Sequence, residues 1–116
     1  MANAFKNYLY QQVGTSNTTV YNPTTAGITS TIIGMSLCNV ANAAIEVNVT
    51  MSVGNTAVNA GSNSVYLVKG AVIPKGSTLI PIGGDQKLVM EENDFLEVSS
   101  NTATSVDVLV SALEIT

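Results

Sequence analysis

The sequence predicts an all-β chain, an antiparallel β-sandwich, and three observations carry that expectation. No long segment shows the 3.6-residue apolar period of an amphipathic helix. Roughly nine short apolar runs are cut by Gly, Asn and Pro turn signals, the spacing of a small sandwich or barrel. Residues 45–53 alternate strictly: Ile45, Val47, Val49, Met51 and Val53 take one parity, and Glu46, Asn48, Thr50 and Ser52 the other. That is a strand with one buried and one wet face, and a one-residue slip would turn all five apolar side chains to water. The jelly roll is one form that such a sandwich takes. The length of 116 residues suits a single domain, residues 1–116, able to bury a core without disulfide staples.

Taken in order, residues 1–12 (MANAFKNYLYQQ) read as an extended N-terminal arm or an edge strand. Phe5, Tyr8 and Leu9 also fall at helical spacing. Residues 13–19 form a loop by composition, and Thr18 to Tyr21 is a short strand ended by Asn22-Pro23. Residues 24–27 are a turn. Ile28 to Asn39 is a long β segment: Ile33, Met35 and Leu37 share one parity, and Ile28, Ile32 and Cys38 the other. Such a strand switches faces near Ile32–Ile33, and Gly34 marks a bulge or the close approach of another strand. Residues 40–44 are a turn before the alternating strand. Gly54-Asn55 opens a polar loop that ends near Ser64.

The stretch VYLVKGAVIPKGSTLIPIGGDQKLVMEENDFLEVSS, residues 65–100, is the organising centre. Val65 to Lys69 is a run broken at Gly70. Pro74-Lys75-Gly76-Ser77 is a turn, because proline pre-sets φ and glycine supplies the left-handed dihedral. Further runs follow at Thr78–Ile82, Lys87–Met90 and Phe95–Val98, with turns at Gly83-Gly84-Asp85 and Glu91–Asp94. Four such runs predict an antiparallel meander. After a turn at residues 99–102, residues 105–115 form the last strand, with Val106, Val108, Val110 and Ala112 on one face. Leu109, Leu113 and Ile115 share the other with Asp107 and Ser111. Apolar residues on both faces indicate a central strand or one whose outer face meets another subunit.

The order LVK, apolar, IPKGSTLIPIGGDQKLVM, acidic turn, DFLEV resembles a group of small virion structural proteins of tailed bacteriophages, notably phages of marine bacteria and cyanobacteria. The start MANAFKNYLYQQVGTSNTTVYN and the end SVDVLVSALEIT look similar to that group too, so the resemblance spans nearly the whole chain. It implies a structural protein of the virion without catalytic residues, and the motif does not choose between head, neck and tail; the leading expectation is a decoration-type protein whose partners are phage structural proteins, first the major capsid protein.

Composition points the same way. Charged residues are 10%, against about 25% in ordinary soluble domains. Ser, Thr and Asn fill about a third of the chain. A surface so poor in charge suits one covered by other subunits. The net charge of −4, with four lysines and no arginine, disfavours nucleic acid, whose phosphates need basic stripes. No apolar run approaches a membrane span, and residues 1–15 lack a secretory pattern. Asn17-Thr18-Thr19 and Asn48-Val49-Thr50 match the glycosylation triplet, as chance allows in an Asn/Thr-rich chain.

No chemistry-bearing constellation emerges. Histidine is absent, so a serine or cysteine nucleophile lacks its usual base, and zinc lacks ligands. The lone Cys38 lies in an apolar run and reads as a buried thiol. Glu91, Glu92, Asp94 and Glu97 have no EF-hand spacing and read as a solvated hairpin turn. The expectation is therefore no enzyme, no cofactor and no metal. It is instead a homo-oligomer, a trimer by preference, with Phe5, Tyr8, Tyr10, Leu109, Leu113 and Ile115 as interface residues. A tail, neck or baseplate component is the alternative. A carbohydrate-binding module is a weaker one, because tryptophan is absent and the tyrosines are scattered.

Overall fold

The computed structural model describes residues 3–23, 27–53, 63–83 and 86–115. Among these lie nine strands: β1 (Asn3–Val13), β2 (Thr18–Tyr21), β3 (Thr29–Asn39), β4 (Ile45–Ser52), β5 (Ser64–Ile73), β6 (Thr78–Ile82), β7 (Leu88–Glu91), β8 (Phe95–Ser100) and β9 (Val106–Ile115). The expected turns at residues 24–26 and 84–85 and the polar loop over 54–62 lie outside the described residues.

The strands pair like one long hairpin. β1 pairs β9, β2 pairs β8, β3 pairs β7 and then β6, and β4 pairs β5, all antiparallel. Rolling that hairpin brings β9 beside β3 and β8 beside β4. The result is two sheets, β1-β9-β3-β6 (with β7 also on β3) and β2-β8-β4-β5. This strand order is the jelly roll, the form of sandwich in which successive strands cross between sheets. The expected meander is therefore corrected: β5 and β6 belong to opposite sheets, as do β7 and β8. β6 and β7 lie end to end along β3, β6 on Met35–Cys38 and β7 on Thr29–Ile32, as one interrupted strand.

Burial follows the predicted parities with two corrections. β3 switches faces as expected: Ser30 and Ile32 are buried, then Met35, Leu37 and Asn39, across a register shift between Ile32 and Gly34. In β4 the alternation holds for Ile45, Val47 and Val49, but Met51 is only half-buried while Ser52 is buried. The cause is a register irregularity between Val49 and Thr50 against β5, which rotates the strand end. The second correction is at Gly70. It does not end a strand; it is the extra residue between the Asn48–Lys69 and Val47–Ala71 pairs, at φ +65°. Its amide donates to Asn48 Oδ1 at 2.8 Å, so the bulge leaves no donor unpaired.

Turns are held by backbone and side-chain hydrogen bonds. Ser77 N–H donates to Pro74 C=O at 3.0 Å with Gly76 at φ +75°, as the Pro-Lys-Gly-Ser motif predicts. Buried Asn39 donates to the carbonyls of Ala43 and Ile73, both at 2.9 Å, and accepts from Ala41 N–H at 2.8 Å. One side chain thus closes the β3–β4 turn and ties it to the end of β5. The acidic turn is not a hairpin, because it links β7 of one sheet to β8 of the other. Asp94 is buried and accepts from Glu91 N–H at 2.9 Å, and Asn93 N–H reaches Pro23 C=O at 2.7 Å.

Candidate functional site: the outer face of the first sheet

Strand parity decides what the two outer faces carry. On the second sheet the outward positions include Glu46, Asn48 and Thr50 of β4, Glu97 of β8, and Tyr66, Lys69 and Val72 of β5. Lys69 Nζ lies 5.0 Å from the Tyr66 ring centroid. That face carries both signs of charge, with Tyr66 and Val72 exposed among them on β5.

The first sheet is different. Its outward rows follow from the registers: Phe5–Leu113–Thr31–Val89, then Asn7–Ser111–Gly34, then Leu9–Leu109–Ser36. Ile80 of β6 projects beside the last row. Phe5 and Leu9 are each 75% exposed, Ile80 65% and Val89 59%. Leu109 is also exposed, and Leu113 and Ile115 are half-buried. On the described part of this face the carboxylates stand at its ends, Glu91 opposite Thr29 and Asp107 opposite Cys38, and exposed Lys87 shares the parity of Val89 beside β7. Asp107 Oδ1 accepts the Gln12 amide at 2.9 Å, so it serves the β1 bulge. An open groove of about 540 Å³ near that end is lined by Leu9, Leu109, Ser36 and Cys38 among others.

β1 is the edge strand of this sheet, and a buried polar cluster fastens it. Glu114 continues the inward parity of β9, where sequence periodicity alone would place an apolar residue. Its Oε2 accepts from Tyr8 Oη at 2.5 Å and Tyr21 Oη at 2.8 Å, and its Oε1 lies 3.3 Å from Lys6 Nζ. Tyr21 spends its proton on Glu114, so the Ser30 hydroxyl at 2.5 Å is the donor to the Tyr21 oxygen. The Tyr8 and Tyr21 rings meet edge to face at 4.9 Å between centroids. Burial opposes the Glu114 charge, but the hydrogen bonds from Tyr8, Tyr21 and Lys6 outweigh it and hold the carboxyl below its ordinary pKa. Burial and then the Glu114 bond push the Tyr8 phenol up to about 12. Burial is also the main cause that raises Tyr21, with Ser30 working the other way. The cluster joins β1, β2, β3 and β9 at one side of an open cleft of about 410 Å³.

The expected interface residues divide between these two places. Phe5, Leu109, Leu113 and Ile115 share the outer face. Tyr8 and Tyr10 sit on the opposite parity of β1: Tyr8 turns inward to Glu114, while Tyr10, opposite buried Val108, stays exposed beside the cleft. Sequence reading missed Leu9, Ile80 and Val89 as face residues. Alternation marks Leu9 with Phe5, but β6 and β7 join this face only through their pairing with β3. Cys38 is half-buried on the outer side, not in the core, because the bulge at Ile33–Gly34 reverses the parity of β3. Among the described residues no three His, Cys, Asp or Glu side chains gather as a metal-binding group. No helix there is long and apolar enough to cross a membrane.

No protein-family model matches the chain, and no curated protein matches it. Among solved structures, one described as "Bacillus endospore appendages form a novel family of disulfide-linked pili" aligns with a TM-score of 0.50. It covers 99% of this chain and 87% of its own, at 10% sequence identity. The likeness is one of fold.

Proposed function

We propose that this chain is a structural component of a tailed-phage virion, a capsid decoration protein that binds the major capsid protein at symmetry-related sites. The sequence resemblance supplies the particle. The observation that carries a structural role is the outer face of the first sheet, which sets exposed Phe5, Leu9, Ile80 and Val89 on one surface whose described carboxylates stand at its ends. A lone soluble domain rarely leaves such a patch open to water. Docking works by shape, and many copies on one lattice raise each other's effective concentration, so weak single contacts sum to firm attachment.

A tail, neck or baseplate position uses the same surface and is the second reading. The pilus subunit with a similar fold is consistent with either, since it too is named as part of an assembled appendage. Antibody labelling of purified virions under the electron microscope tests the proposal. Label spread over the head supports decoration. Label confined to the neck or tail selects the second reading, and unlabelled particles overturn both.

A further inference from the structure

We infer that the cleft between β1 and β2 binds a neutral, hydroxyl-rich ligand, the terminal sugar of a glycan. The inference goes beyond the proposed function and does not depend on it.

The place of the cleft is the first argument. β1 and β2 are edge strands of the two sheets, and both line it. Lys6, Tyr8 and Tyr10 stand opposite Ala112, Val110 and Val108, which are buried, so they hold the inward parity of β1. An edge strand that only closed the core would carry apolar residues at those positions. Lys6 and Tyr10 are instead exposed, and the sandwich stays open at this side. The cleft of about 410 Å³ falls within the range of small-ligand sites, about 300–1,000 Å³.

Its chemistry is the second. Tyr8, Tyr10 and Tyr21 are three of the four tyrosines, spread along the sequence, and they meet here. A sugar ring has an apolar C–H face and a rim of hydroxyls, and a tyrosine offers a ring to the first and a polar handle to the second. Tyr10 is 43% exposed and so has ring surface to give. Glu114 Oε1 and Lys6 Nζ stand 3.3 Å apart, an acceptor beside a donor, which suits two adjacent hydroxyls. Thr19 and Asn22 add a hydroxyl and an amide from the β2 side. Lys6 and Glu114 are the charged residues of the described lining and cancel, so the site favours neither an anion nor a cation.

Glu114 supplies the third. On the inward face of β9 it follows Val106, Val108, Val110 and Ala112, all buried. An apolar residue would close the core there, and a buried ionic cluster is seldom more stabilising than apolar packing of the same volume. A carboxylate at the wall of an open cleft has a use that packing does not supply, the acceptance of a ligand hydroxyl. Tyr8 and Tyr21 fix its Oε2, so the acceptor is in place before a ligand arrives.

Nuclear magnetic resonance on the isotope-labelled full chain tests this. The probes are glucose, galactose, mannose and N-acetylglucosamine, titrated to millimolar levels, with sialic acid and glucosamine as charged controls. At least one neutral sugar is expected to shift the amides of residues 6–10, 19–22 and 114 saturably. Tyr10→Ala and Lys6→Met, each still melting cooperatively, are expected to weaken binding at least tenfold, and Tyr66→Ala on the second sheet to leave it unchanged. The wild-type shift map decides the location even where a variant fails to fold. No binding of any neutral sugar, shifts centred elsewhere, tighter binding of a charged control, or binding that survives both cleft substitutions overturns the inference. Sugar binding with unlabelled virions would sink the phage assignment and leave the cleft standing, whereas labelled virions without sugar binding would do the reverse.

Discussion

The two outer faces of this sandwich are built from the same kind of strand and differ in how much apolar surface and charge they expose. Over β4, β5 and β8 the outward positions carry Glu46, Lys69 and Glu97 among hydroxyls and amides, with Tyr66 and Val72 exposed on the edge strand β5. Over β1, β9, β3, β6 and β7 they carry phenylalanine, leucines, isoleucine and valine around a central row of Asn7 and Ser111, and the described carboxylates stand at the ends. Both faces lie outside the core, so packing within one chain explains neither. The lesson is that exposure and polarity part company where a surface has a second task, and the first sheet is where they part.

The comparison can be broken most forcefully from beneath. Ile32 is fully buried, one residue before the bulge that sets the first sheet's outer parity. Ile32→Ala is expected to cost about 2–5 kcal/mol in urea unfolding, because the side chain's transfer free energy is lost and a cavity remains. A cost near zero would mean that the two faces are not separated by a packed core.

Next comes the Glu114 cluster, which fastens the edge strand β1. Glu114→Gln is expected to cost about 1–3 kcal/mol, since it weakens charge-assisted bonds from Tyr8, Tyr21 and Lys6. The folded carboxyl has a depressed pKa, so its contribution is present above the unfolded value of about 4.3 and lost as pH falls through the lower folded value. Thermal melts from neutral to acid pH should show a steeper decline in the wild type than in the Gln variant. Tyr8 works in the other direction: with its pKa raised to about 12, its contribution is intact below about 10 and lost as pH rises through 12. Phenolate absorbance titration should show Tyr8 and Tyr21 ionising late, and early ionisation of both would count against the cluster.

A smaller contrast lies between the two bulge glycines, one in each sheet. Gly70 sits at φ +65°, where an L side chain costs about 1 kcal/mol, and Gly34 does not. Gly70→Ala should lower the unfolding midpoint, and Gly34→Ala should leave it nearly unchanged. Equal losses would mean that Gly34 is needed within the monomer. The smallest effect is expected at the surface itself: Ile80→Ser or Val89→Ser should shift monomer stability by less than about 0.5 kcal/mol despite the size of the side chains lost. A loss above 2 kcal/mol at either would show that these residues pack within their own chain.

Much of this was legible in the residues. Period two in β4 and β9, the Pro-Lys-Gly-Ser turn and the Asn22-Pro23 stop identify strands and their ends, because alternation and turn chemistry are local properties. The face switch at Ile32–Ile33 was legible for the same reason: two adjacent apolar residues cannot both face one side of a regular pleat. Sheet membership was not. Whether β6 follows β5 in one sheet or crosses to pair with β3 depends on how both layers close over one core, and the local pattern of Thr78–Ile82 is the same in either case. The end of β4 and the parity of Cys38 were misread because a bulge shifts register by one residue without changing composition.

The sequence by itself determined an all-β sandwich, its strand segments and a surface poor in charge, since these follow from period, turn residues and composition. Only the tertiary structure decided the rolled strand order, the burial of Glu114 among two tyrosines and a lysine, and the gathering of Phe5, Leu9, Ile80 and Val89 on one face. Those residues lie up to 84 positions apart in the chain (Phe5 to Val89). Only long-range strand pairing brings them together, and no local pattern encodes which long-range pairs will form.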